Sequence, residues 1–177
     1  SNFNNTLGVI YIVRDPRNVV TSFGNFKNLS FSETVDFMTK GMGDQLTWTD
    51  TWSENYHSWK FLKNYNKYLL IRYEDLLKNR EQIFLNILEF IYKLNNTKFS
   101  LDESKFNKVI ETTSFDNMKK LEETKGFAEA NFDEKTGKKI PFFYLGPKND
   151  WSKTLDSGLA QIIEKSFYNE MKELGYL

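Results

Sequence analysis

The residues best suited to chemistry follow a short apolar run. Val9-Ile10-Tyr11-Ile12-Val13 leads directly into Arg14-Asp15-Pro16-Arg17-Asn18-Val19-Val20-Thr21-Ser22. An arginine offers a rigid fork of N–H donors that matches a phosphate. A helix mouth beside it adds free backbone N–H groups and the positive end of the helix dipole. Arg14 is therefore read as a phosphate ligand delivered by a strand to the start of a helix. A charge-assisted bond of that kind contributes about 1.5–3 kcal/mol. The competing reading, a surface ion pair, contributes about 0–1 kcal/mol.

Two further segments have the same character. Ile71-Arg72-Tyr73-Glu74-Asp75-Leu76 again follows an apolar stretch, and Gly146-Pro147-Lys148-Asn149-Asp150-Trp151 lies near the C-terminus. Glu74 and Asp75 also suit a strand-end turn in which both carboxylates act as caps. Thr113-Ser114-Phe115-Asp116-Asn117-Met118 reads as an N-cap opening a short helix. There Phe115 is either a site residue or a hydrophobic contact at a helix start. The single histidine, His57, falls in an aromatic helical stretch and is read as a packing or surface residue.

These residues need elements to hold them. Gly8 to Val13 and Lys67 to Arg72 read as buried strands. The long helical stretch between them predicts a parallel crossover. Asp15 as N-cap and Pro16 at the first helical position open a helix with Val19, Val20 and Phe23 on its apolar side. From Phe31 to Leu62 the pattern is helical, with Trp48, Trp52, Tyr56, Trp59 and Phe61 read as core. Ile83, Phe84, Ile87, Leu88 and Ile91 predict a sheet-covering helix, and Phe106, Val109 and Ile110 another. Glu122 to Lys139 reads as a polar surface loop. Leu159 to Leu174 reads as one amphipathic closing helix.

Bulk properties exclude several classes. The chain has 177 residues and a formal net charge of +0, whereas a nucleic-acid backbone reader shows a basic excess. No apolar run approaches the roughly 20 residues of a membrane span. Cysteine is absent, which excludes disulfide scaffolds and thiolate zinc sites and suits a reducing, cytoplasmic setting. The start, Ser1-Asn2-Phe3-Asn4-Asn5, shows no signal peptide and no initiator Met. Two strands are few for a covered parallel sheet. The expectation is a single α/β domain over residues 1–177, lacking an N-terminal strand that lies upstream.

Taken together, the three segments resemble the sulfotransferase family that uses 3′-phosphoadenosine 5′-phosphosulfate (PAPS). The resemblance is to its arginine-to-serine strand–helix motif, its Tyr-Glu-Asp motif, its Thr-Ser-Phe segment and its Gly-x-x-Gly-Asp-Trp end. Trp52 and Trp59 resemble its paired tryptophans, and Glu173-Leu174-Gly175-Tyr176 is similar to the ending of bacterial members. It implies a P-loop-like α/β fold with a parallel sheet flanked by helices, of which this chain is the C-terminal two-thirds. Carried over, it implies that Arg14 and Ser22 hold the donor's 3′-phosphate. Gly146 would offer its backbone N–H to the same group, while Tyr73, Thr113 and Phe115 border the adenine. The implied reaction is sulfuryl transfer from PAPS, without metal, to a hydroxyl or amine on a small molecule or glycan. The phosphosulfate loop and the catalytic base would lie upstream, so the isolated chain is expected to be inactive.

Two departures stand out. Tyr144-Leu145 occupy the place of the family's Arg-Lys pair, which removes two positive charges, with Lys148 as a possible substitute. Asn149 replaces the second glycine, and asparagine tolerates the left-handed conformation. Two other readings remain open: a nucleotide or nucleoside kinase with a P-loop, and a degenerate, non-catalytic nucleotide-binding module.

Overall fold

The structure, a computed structural model, describes residues 5–41, 50–133 and 135–177. Trp48 and the first four residues lie outside the described residues. In chain order the elements are β1 (Val9–Val13), α1 (Pro16–Lys27), α2 (Phe31–Lys40), α3 (Trp52–Lys60), β2 (Tyr68–Arg72), α4 (Tyr73–Lys78), α5 (Arg80–Leu94), α6 (Glu103–Thr112) and α7 (Phe115–Lys125). They continue with β3 (Asn131–Phe132), β4 (Lys139–Ile140), α8 (Trp151–Thr154), α9 (Ser157–Ser166) and α10 (Tyr168–Glu173). Short 3₁₀ turns cover Phe61–Tyr65 and Gly146–Lys148.

These elements form two compact units, Ser1–Arg14 with Tyr56–Glu111, and Asp15–Asn55 with Thr112–Leu177. In the first, β1 and β2 pair in parallel, with Val9 opposite Tyr68 and Val13 opposite Arg72. The parallel pairing agrees with the crossover expected from their separation. Val13 and Ile71 are buried, and α5 packs on β2. Gly8 permits the approach of Leu94 from α5, because a Cβ there would collide with the leucine side chain. Tyr11 lies with its ring 5.9 Å from Tyr56 and 6.1 Å from Tyr68. Burial pushes its hydroxyl up to about 12.

The second unit is helical, and its core consists of Val20, Val35, Met38, Leu155, Ala160, Ile163, Phe167 and Met171. Trp52 covers this core, with its ring 5.1 Å from Phe167. The closing helix comes in two pieces, α9 and α10. Phe167 between them has φ −119° and ψ 26°, outside the helical range. Its N–H still donates to Ile163 and its carbonyl accepts from Met171, so the chain bends there with little loss of hydrogen bonding. The stretch from Glu122 also departs from the expected loop. Helix α7 runs on to Lys125, and β3 and β4 then pair as a small antiparallel hairpin. The amphipathic signal there was weak because Glu122, a charged residue, is one of the buried positions.

Candidate functional site

The first group of predicted site residues forms at the carboxyl ends of the paired strands. Since Val13 faces Arg72 across the ladder, the next residues, Arg14 and Tyr73, emerge side by side. The Arg14 guanidinium sits over the Tyr73 ring, 4.3 Å from its centroid. Such stacking engages the guanidinium face and fixes the plane in which its N–H fork lies. Both residues are half-buried. Tyr73 begins α4, so Glu74 and Asp75 lie in its first turn, where they suit the dipole. The side chain of the N-cap residue, Arg72, makes no cap bond there.

The second group lies in the helical unit. Ser22 on α1 accepts a hydrogen bond of 3.2 Å from the Asn149 amide. The same amide donates to the Asn18 carbonyl at 2.9 Å, and Thr21 Oγ1 donates to Asn149 Oδ1 at 2.7 Å. Asn18 Oδ1 in turn accepts from the Trp151 N–H at 2.8 Å. Asn149 thus fastens the 146–151 segment to α1. Its backbone is extended, with φ −71° and ψ 110°, so the expected left-handed role is not the one it plays. The left-handed residue is Gly146, with φ 52°. A Cβ on Gly146 would overlap the Phe115 ring, which lies directly against it. Phe115 opens α7 behind the Ser114 cap, whose side chain accepts from Asn117 N–H. Thr113 stands on the surface in the preceding turn.

The expectation of free amides at the mouth of α1 is corrected. The Arg17 N–H donates to Asp15 Oδ1, and the N–H groups of Asn18 and Val19 both donate to the Asp15 carbonyl. Pro16 has no N–H to offer. Asp15 therefore occupies this helix mouth as a complete cap, and an anion there would meet a carboxylate. The two arginines of Arg14-Asp15-Pro16-Arg17 also have separate tasks. Arg17 makes a two-pronged pair with Asp15, binds Glu164 at 2.6 Å and donates to the Tyr176 carbonyl at 2.9 Å. Its guanidinium lies 4.1 Å from the Trp151 ring centroid. Burial lowers its basicity, but Asp15 and Glu164 more than compensate and hold it above the ordinary arginine value. Arg17 is a tether joining α1, α9 and the chain end, and the sequence reading missed it. An arginine two residues after an N-cap aspartate was the available signal.

A third arrangement was also missed. Phe26, Phe115, Phe127, Phe142 and Phe143 form a chain of ring contacts between 4.7 and 6.1 Å. Glu122, 4% exposed, accepts from the consecutive N–H groups of Phe142 and Phe143, each at 2.9 Å. Lys139 Nζ lies 3.5 Å from the same carboxylate. Burial pushes this carboxyl up, but the two amides and Lys139 outweigh burial and leave it below the usual glutamate range. Tyr144 and Leu145 border clefts of about 400 Å³ and about 570 Å³ within this unit. His57 is exposed on α3 beside Tyr56. Among the described residues there is no cluster suited to a metal ion, and no helix is long and apolar enough to cross a membrane.

Comparison with known proteins gives the family and the fold. A family model described as the sulfotransferase domain matches residues 1–175. The amine sulfotransferase of Oryctolagus cuniculus is 26% identical over 182 residues, which cover 96% of this chain and 56% of that protein. Cytosolic sulfotransferase 12 of Arabidopsis thaliana is 26% identical over 175 residues, covering 94% and 51%. The crystal structure of mouse sulfotransferase SULT7A1 complexed with PAP superposes with a TM-score of 0.65 at 22% identity, over 93% of this chain and 58% of that one. Retinol dehydratase in a complex with retinol and PAP gives the same score at 21% identity, over 95% and 49%. The structural likeness fixes the fold, an α/β arrangement of parallel strands flanked by helices. The chain spans a little over half the length of the curated relatives it matches.

Proposed function

The chain belongs to the sulfotransferase domain family, and we propose that it carries the donor-recognition part of a PAPS-dependent sulfotransferase. The observation that carries the reading is the Arg14–Tyr73 stack at the carboxyl ends of β1 and β2, since ligands of open α/β sheets bind at those ends. Arg14 gives its fork to the 3′-phosphate of the donor. Ser22 adds its hydroxyl and Gly146 its backbone N–H, while Tyr73, Thr113 and Phe115 border the adenine. The donor set suits the ligand: one guanidinium, one hydroxyl and one amide for an anion, with aromatic rings for a base. None of the six residues is acidic.

In the proposed reaction the bond between sulfur and the donor's 5′-phosphate oxygen breaks. A new bond forms from sulfur to an acceptor oxygen or nitrogen, and a base takes the acceptor's proton. Adenosine 3′,5′-bisphosphate leaves. Positioning and stabilisation of the charge on that leaving phosphate dominate the catalysis. No residue of this chain is assigned as the base. The acceptor is a hydroxyl or amine of a small molecule or glycan, in keeping with the relative named an amine sulfotransferase. The name of the Arabidopsis relative supports a cytoplasmic setting.

The test is a calorimetric titration with adenosine 3′,5′-bisphosphate and with adenosine 5′-monophosphate. The wild-type chain is expected to prefer the bisphosphate, and Arg14→Ala to lose that preference by about tenfold or more. Equal affinity of the wild-type chain for both ligands would remove the 3′-phosphate site and leave the non-catalytic module as the better reading.

A further inference from the structure

We infer that Glu122 is a positioning residue for the nucleotide loop, acting through the backbone of Phe142 and Phe143 to set the Gly146 amide. The inference rests on the donor-site reading for the ligand that Gly146 meets. Its structural basis lies wholly within the helical unit.

Phe115 and Glu122 are seven residues apart on α7, two turns of helix, and so share one face. Both grip the same stretch of chain. At one end, Glu122 Oε1 and Oε2 each take one N–H from the consecutive residues Phe142 and Phe143. At the other, Phe115 fills the space where a Gly146 side chain would stand. Between them, the Phe143 ring meets the Phe115 ring edge-on at 6.1 Å. Helix α7 is therefore a two-point splint for residues 142–146. Lys139, at the end of the hairpin, sits beside the carboxylate and also donates to the Glu122 carbonyl at 3.3 Å.

A carboxylate suits this role better than a neutral group. Two neighbouring backbone donors converge on it, and charge-assisted bonds to backbone N–H are short and strong. A buried glutamate is rarely retained without such partners. Its removal leaves two N–H groups without an acceptor just ahead of the loop. Tyr144 and Leu145 bring no positive charge to the loop. The placing of its backbone then matters more for holding an anion.

The distinguishing experiment compares two ligands on one variant. Glu122→Gln keeps the size of the side chain but replaces one acceptor oxygen by a donor. It is expected to bind adenosine 3′,5′-bisphosphate about tenfold more weakly than the wild type, with affinity for adenosine 5′-monophosphate unchanged. A merely structural role would weaken both ligands alike or neither. A wild-type preference for the bisphosphate that survives intact in Glu122→Gln would overturn the inference while leaving the donor site standing. No preference in the wild type would instead count against the donor site itself. Should Glu122→Gln fail to fold, Glu122→Asp serves in its place. It keeps the charge but is too short for both amides, so a smaller loss confined to the bisphosphate is expected. An unaltered ratio of the two affinities would reject the role.

Discussion

Asn149 shows how one side chain can take over a task its backbone does not need. It is 7% exposed and uses both ends of its amide. Oδ1 accepts from Thr21, and Nδ2 donates to the Asn18 carbonyl and to Ser22. Asn149→Ala leaves Thr21 and the Asn18 carbonyl without this partner in a buried setting. The expected loss is about 1–3 kcal/mol of stability, read by urea unfolding. Asn149→Gly is expected to cost as much, because the extended backbone at this position gains nothing from glycine. A glycine variant as stable as the wild type would refute the latch. The sequence offered residue 149 only as a replaced glycine, since its partners lie about 130 positions upstream. Arg14 and Tyr73 were legible for the opposite reason. Each directly succeeds a strand-forming run, and two parallel strands in register deliver their next residues to the same carboxyl end of the pair.

At the scale of elements, the parallel pair and helices α1, α5, α6 and α7 are dictated by local pattern. Asp15-Pro16 and Ser114 announce helix starts, and the caps form as those residue types dictate. Elements whose logic is non-local were harder to read. The long helix expected at the C-terminus breaks at Phe167, where a buried ring packs against Trp52 from a distant part of the chain. Helix α7 extends through Glu122 because that carboxylate finds its donors about 20 residues later, beyond the hairpin. Composition alone assigns such a residue to solvent. The mouth of α1 carries the same lesson in reverse. A strand leading into a helix looks like an anion site until the cap is counted, and here Asp15 satisfies every N–H of the first turn.

For the whole molecule, two compact units and a balanced charge leave acid as the informative perturbation. The carboxyls of Glu33, Asp102, Glu122, Asp133 and Asp150 all sit below their ordinary values of 4.5 for Glu and 3.8 for Asp. For Glu33, Asp102, Asp133 and Asp150 the leading cause is hydrogen bonding to nearby side-chain or backbone donors. For Glu122 burial acts in the opposite direction and the amide pair prevails over it. A folded-state value below the unfolded one stabilises the protein above the unfolded value. That stability disappears as pH falls through the folded value. Tm is therefore expected to stay level from pH 7 to about pH 5 and to drop below it. Glu122→Gln should start lower at pH 7 and show a shallower acid drop, measured by thermal unfolding across roughly pH 7 to 3. Parallel acid limbs for variant and wild type would show that Glu122 is not held as described.

The most direct measurement is a crystal structure of this chain with adenosine 3′,5′-bisphosphate. It is predicted to show the ribose 3′-phosphate within hydrogen-bond distance of the Arg14 guanidinium, with that group still stacked on Tyr73. A 3′-phosphate bound away from Arg14, with the guanidinium unmoved by the ligand, would contradict the assignment of the donor site.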